Sequence, residues 1–225
     1  MKTYLPPFLL LLLSLFLVSP ISAEERGKVT VMGLGDSITE GGAYFTSYLY
    51  PLWEMLRNEG VDFEMVGPNT CKDGWGKIRC CGFSGMAVEF LDQHIEFYYK
   101  EHPADFVLLH AGHNHFIEEQ PVPGMIAAYS SIIDKILKIN PEAHILVAKV
   151  VHSGKLPKYG YIPQLNKEIA RLAKTKDPDR VHLVNLPRSF NWRKHTVKDK
   201  VHPNTVGATV IADEWMKVLR TLLPD

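Results

Sequence analysis

Five short apolar runs, each followed by a stretch with helical spacing, set the tightest limit on the fold of this 225-residue chain. The runs lie in Val29 to Gly35, Val61 to Val66, Asp105 to His110, Ala143 to Val151 and Val181 to Val184. Most are nearly continuous in Val, Ile and Leu rather than alternating, the pattern of strands covered on both faces. Between and after them, Ser47 to Asn58, Met86 to Lys100, Pro123 to Ile139, Ile162 to Lys174 and Asn204 to Leu223 place apolar residues every three or four positions. Leu49, Leu52, Trp53 and Leu56 form one such face. Strand and helix in alternation predict an α/β fold. The expected architecture is a three-layer α/β/α sandwich around a flavodoxin-like five-stranded parallel sheet, order 2-1-3-4-5. Gly67 to Gly85 reads as a long loop, and Asn185 to Val201 as irregular. Open sheets of this kind bind ligands beyond the carboxyl ends of their strands. The ends carrying Ser37 and Asn114 are therefore expected side by side on one rim.

The N-terminus reads differently. Lys2 supplies a positive charge, Phe8 to Val18 is almost wholly apolar, and Ser22-Ala23 offers small residues for cleavage. Residues 1–23 are expected to be a secretory signal peptide, which implies a secreted or periplasmic protein. The apolar run is short for a bilayer span, so no stable membrane insertion is expected. Residues 24–225, about 200 in all, match one domain with a substantial core. The chain has 25 basic and 25 acidic residues. That balance gives no basic footprint for a nucleic acid. Cys71, Cys80 and Cys81 are an odd number, so at most one intrachain disulfide forms; Cys71 with Cys80 or Cys81 would staple one loop.

The first run ends in Gly35-Asp36-Ser37, with Gly41 and Gly42 beyond. A buried strand that stops there presents one hydroxyl at the sheet's edge, the place for a nucleophile. The plainer reading is that Ser37 caps the next helix. Near the other end stands Asp199-Lys-Val-His202-Pro-Asn204. A carboxylate three residues before a histidine can fold back onto one ring nitrogen and leave the other for a nucleophile. The plainer reading is a polar loop in which Asn204 or Thr205 caps the last helix. An acyl-transfer site also needs N–H donors for the developing oxyanion. Ser37 offers its backbone N–H, Asn114 a side-chain amide, and Gly82 or Gly85 a backbone N–H unobstructed by a Cβ.

Together these pieces resemble the SGNH hydrolases, also called GDSL esterases. Gly35-Asp36-Ser37 with Thr39 and Gly41 resembles the nucleophile block. Gly82 in Gly-Phe-Ser-Gly85 resembles the glycine block, Gly112-His-Asn114 the asparagine block, and Asp199-x-x-His202-Pro203 the last block. The surrounding text is most similar to the carbohydrate-esterase branch, which includes acetylxylan esterases. The resemblance implies Ser37 as nucleophile, His202 as base and Asp199 as its partner. It implies an oxyanion hole of Ser37, Gly82 and Asn114; choosing Gly82 over Gly85 rests on the resemblance alone. It implies no cofactor and no metal, and a substrate that is an acylated carbohydrate, with O-acetyl the expected ester. One position departs from the pattern: the asparagine block usually continues with Asp, and here stands His115.

Three other readings compete. His110, His113 and His115 lie close together and suggest a metal site, since His113 and His115 would point the same way on an extended backbone. Tyr44, Phe45, Tyr48, Trp75, Phe116 and Trp192 suggest sugar stacking in a non-catalytic carbohydrate-binding relative. A lipase or thioesterase on a non-carbohydrate ester would keep the chemistry and change the substrate.

Overall fold

A computed structural model describes residues 28–72 and 78–223. The expected signal segment, Trp75 and the glycine-rich tip around it lie outside the described residues.

Strand β1 (Val29–Gly35) runs through the middle of the sheet. On one side it pairs in parallel with β5 (Phe106–His110), which pairs with β6 (His144–Ala148) and then β7 (Val181–Val184). On its other side it meets two short parallel strands in succession. β2 (Phe63–Met65) pairs with Val29 to Val31, and β4 (Arg79–Gly82) pairs with Leu34 and Gly35. β2 falls within the expected second strand, while β3 (Asn69–Thr70) and β4, antiparallel to each other, arise in the stretch expected to be a loop, made strands by pairing. β2 and β4 share the second position, and the five-position parallel order is kept.

Alternation along the strands supplies two apolar layers. Met32, Leu34, Val107 and Leu109 face one cluster. It is closed by α3 (Val88–Glu101), α4 (Val122–Ile139) and α5 (Ile162–Ala173). Val31, Phe106, Leu108, Leu146 and Ala148 face the other. There α2 (Leu49–Asn58) and α7 (Thr205–Leu219) cover the sheet, with Trp215 fully buried between them. Two four-residue helices complete the set, α1 (Ser37–Glu40) and α6 (Trp192–His195). A 3-10 turn at Leu186–Arg188 and α6 give form to the stretch expected to be irregular.

The cysteines form no disulfide. Cys80 and Cys81 are buried free thiols on β4, and the Cys71 Sγ–H points at the Thr39 carbonyl, 3.7 Å away. Burial pushes the Cys81 thiol pKa well above its ordinary value, so it stays protonated and unreactive.

Register sets the site. Gly35 lies opposite Gly82 on one side and His110 on the other. Three adjacent strands therefore end level. The segments carrying Ser37, Phe83 to Gly85 and Asn114 leave the sheet from one rim, as the order of the motifs predicts.

Candidate active site

The turn after β1 is built by Asp36. Its carboxylate is fully buried, and Oδ1 accepts the Ile38 N–H at 3.0 Å, capping α1. Oδ2 faces the Gly112 and His113 N–H groups, each at 3.4 Å, and His113 Nδ1 at 3.8 Å. Burial works to raise the Asp36 pKa. The imidazoles of His113 and His110 and the Ile38 N–H outweigh it, and hold the group at about 2. One ionised side chain therefore ties the Ser37 turn to the segment that carries Asn114.

Ser37 is buried to 8% exposure at the rim. Its Oγ lies 2.8 Å from His202 Nε2. His202 Nδ1 lies 2.6 Å from Asp199 Oδ2. An ionised carboxylate only accepts, so Nδ1 carries the hydrogen and Nε2 is left to accept from Ser37. Asp199 Oδ1 also accepts the Val201 and His202 N–H groups at 2.8 and 3.0 Å. Burial pushes the Asp199 pKa up, but the His202 ring and these two N–H groups push it further down, so its net shift is downward. The turn is tight enough to put Lys200 at φ 63, in the left-handed region. Two bonds brace it there: Lys200 O accepts from Ser153 Oγ at 2.9 Å and from Gly154 N at 2.8 Å. Asn204 does cap α7, accepting the Gly207 N–H at 2.9 Å. The capping and the histidine turn are thus consecutive parts of one segment rather than alternatives.

Gly82 ends β4 against α1. A Cβ there would stand 2.7 Å from Glu40 N, so only glycine allows this approach. Asn69 Nδ2 donates to the Gly82 carbonyl at 2.7 Å and fixes that peptide. Gly85, the other glycine of the block, has φ 80 and open space about it; it serves the turn. Glu40 fastens the block from the α1 side, accepting Ser84 N–H at 2.7 Å while pairing with Lys72 Nζ at 2.8 Å. Asn114 takes a left-handed conformation, φ 74, which asparagine tolerates better than most residues. Its Nδ2 donates to the Met86 carbonyl at 3.0 Å. That bond fixes which way the amide faces and leaves its second N–H unspent.

The histidines separate. Asn114's left-handed backbone breaks the extended run on which His113 and His115 would share a side. His110 and His113 are both buried. Burial strips water from the charged His110, and the charge of His113 opposes it further; although Asp36 pulls the other way, the pKa falls to about 4. His115 turns outward: Nδ1 meets Glu119 Oε2 at 2.6 Å and Nε2 meets Glu89 Oε2 at 3.0 Å. Burial lowers its pKa, but the two carboxylates raise it more, and the net shift is upward. Among the described residues, no three His, Cys, Asp or Glu side chains group to hold a metal ion.

The aromatics also divide. Tyr48 is fully buried beneath the site, its hydroxyl 3.1 Å from Thr39 Oγ1, so it is core and not a sugar platform. Phe45 stacks on the His202 ring at 4.0 Å between centroids. Tyr44 and Phe116 are exposed, at 90% and 51%. The roles of Asp36, Glu40 and Phe45 were not visible in the sequence. The clue available was a carboxylate directly following a buried strand, which must find buried donors.

The sequence model of the GDSL-like lipase/acylhydrolase family matches residues 34–210. No curated protein sequence matches the chain. Among solved structures, the chain is similar to the Clostridium thermocellum family 3 carbohydrate esterase, with 24% identity and a TM-score of 0.71, covering 88% of this chain and 100% of that one. It is similar to a family 3 carbohydrate esterase from Talaromyces cellulolyticus, with 22% identity and a TM-score of 0.75, covering 86% and 97%. It is similar also to the acetyl xylan esterase AlAXEase, with 19% identity and a TM-score of 0.66, covering 85% and 100%. At these identities the likeness is one of fold.

Proposed function

Because this chain belongs to the GDSL-like lipase/acylhydrolase family, we propose that it is a serine esterase that removes acyl groups, chiefly acetyl, from carbohydrate. The observation that carries this reading is the line from Ser37 Oγ to His202 Nε2, 2.8 Å, and from His202 Nδ1 to Asp199, 2.6 Å. A hydroxyl within reach of a base, with the base oriented by an ionised carboxylate, suits nucleophilic acyl transfer.

The steps follow from the atoms present. Ser37 Oγ adds to the ester carbonyl carbon while its proton passes to His202 Nε2. Asp199 stabilises the imidazolium so formed. The carbonyl electron pair moves onto oxygen, where the Ser37 and Gly82 N–H groups and the free N–H of Asn114 receive it. Collapse breaks the bond to the alcohol oxygen, which leaves with the proton from Nε2. Water then gives a proton to the same nitrogen, attacks the acyl-serine, and releases the carboxylic acid and a regenerated Ser37.

Carbohydrate as the substrate is supported by the motif text and by the fold shared with carbohydrate esterases. The N-terminal pattern of Lys2, the apolar run Phe8 to Val18 and Ser22-Ala23 supports export, with residues 1–23 as the cleaved signal. N-terminal sequencing of exported protein is expected to begin at Glu24; an uncleaved Met1 contradicts that.

The direct test is hydrolysis of p-nitrophenyl acetate and acetylated xylan by wild type and Ser37→Ala, with and without EDTA. Wild type is expected to be active on both, EDTA-insensitive, and silenced by the substitution. Activity that survives in Ser37→Ala overturns the nucleophile. Turnover of p-nitrophenyl acetate without acetate release from xylan moves the substrate away from that polymer.

A further inference from the structure

We propose that the alcohol half of the ester, a neutral pyranose unit, binds in the cavity between residues 42–46 and 197–205, with Tyr44 as its stacking platform; this rests on the esterase reading above.

The chemistry selects the side. The nitrogen that takes the Ser37 proton must hand it to the departing alcohol oxygen. The alcohol therefore lies against His202, and the oxyanion donors lie across the carbonyl from it. A cavity of about 600 Å³ adjoins the base through Phe45, one of its lining residues, whose ring lies against His202. Its walls include Tyr44, Phe45, Lys72, Val197, Asn204 and Thr205. Phe45 is the ring stacked on His202, Val197 N donates to the His202 carbonyl at 2.9 Å, and Thr46 N donates to the Pro203 carbonyl at 3.3 Å. Both walls are thus built onto the residues that carry the base.

The turn that makes one wall has a visible division of labour. Gly42 and Phe45 form an antiparallel bridge, and a Cβ on Gly42 would lie 2.3 Å from Phe45 Cε1. Glycine there lets Phe45 fold down onto the imidazole. The same turn throws Tyr44 outward, where it is 90% exposed. So large an aromatic surface left in water adds nothing to the fold. It is what the apolar C–H face of a sugar ring needs, with its hydroxyl free to hydrogen-bond. Around it the wall offers the hydroxyls of Thr46 and Thr205. Its cation, Lys72, is paired with Glu40 at 2.8 Å, which favours a neutral polyol over an anionic group.

The test compares two acetyl esters with the same acyl group and different alcohols, acetylated xylobiose and ethyl acetate, by titrating released acid. The reading is the ratio of their kcat/KM values. In Tyr44→Ala this ratio is expected to fall about tenfold, mostly through KM for the sugar ester, as loss of one stacking contact implies. Tyr44→Trp is expected to keep the ratio within about twofold of wild type. A ratio unchanged in Tyr44→Ala, or lowered equally by Tyr44→Trp, overturns the subsite while leaving the esterase intact. Wild type that cleaves ethyl acetate but not the sugar ester overturns the sugar with its subsite. Wild type that cleaves neither overturns the esterase reading itself.

Discussion

At the scale of single residues, Asp36 matters as much to the site's geometry as the Ser37 beside it. Its two oxygens hold α1 on one side and the Gly112-His113 peptides on the other. The N–H of Ser37 and the amide of Asn114 are thereby kept in one frame. Asp36→Asn would turn an NH2 group toward donors on one of those sides. It is expected to cost about 1–3 kcal/mol of stability, the range for a buried unsatisfied group, measured by urea unfolding. Unchanged stability would mean the carboxylate is not holding the frame. Asn114→Ala is expected to lower kcat about a hundredfold with a smaller change in KM, since the lost N–H acts on charge that forms during reaction. A near-normal kcat removes Asn114 from the hole. Ser37, Asn114, Asp199 and His202 were readable because each belongs to a short motif with a chemical reason for its spacing. The tie that Asp36 makes was not legible, since two of its donors come from residues 112 and 113, and no local pattern reveals partners that far along the chain.

At the scale of elements, the rim is assembled from loops that fasten to one another. His115 joins the loop after β5 to the first turn of α3 through Glu89, and to Glu119 beyond. Asn114 reaches the same region through the Met86 carbonyl. The groups facing His115 are Glu89 and Glu119, and Lys158 acts on Glu119 in turn. With a pKa raised above the ordinary 6.5, His115 holds both carboxylates fully below that pH. The hold is lost as pH rises through the raised value, because a neutral ring has one N–H for two acceptors. Activity is therefore expected to decline on the alkaline side, and His115→Gln is expected to flatten that limb of the kcat profile. An alkaline limb identical in the variant would detach His115 from Asn114's positioning. Long elements were legible, α4 to within a residue, because eighteen residues carry many turns of one period. β3 and β4 were not: a strand of four residues reading Arg-Cys-Cys-Gly shows no period, and it is made a strand by pairing with β1 and β3.

At the scale of the whole molecule, the sheet does two jobs. Its interior alternates side chains into two cores, and its level strand ends bring motifs from residues 35, 82 and 110 to one edge. The first job was legible as apolar runs. The second was legible only through the expected strand order, which places the first and third runs side by side. Burial near this edge also sets how the fold answers to acid. His110 is fully buried with a pKa near 4 against 6.5 when unfolded, so below 6.5 the unfolded chain binds a proton the folded one refuses. Stability is expected to fall by about 3 kcal/mol between pH 6.5 and 4 from this group, and the slope is expected to shrink in His110→Gln. An equal slope in the variant would place the acid response elsewhere. The central claim, a serine activated by His202, is tested most directly by labelling. Folded protein is treated with a fluorophosphonate, and the adduct is mapped by peptide mass spectrometry. The expected result is one adduct, on the peptide containing Ser37, absent in Ser37→Ala and strongly slowed in His202→Ala. Labelling at another residue, or none in protein that hydrolyses esters, would contradict it.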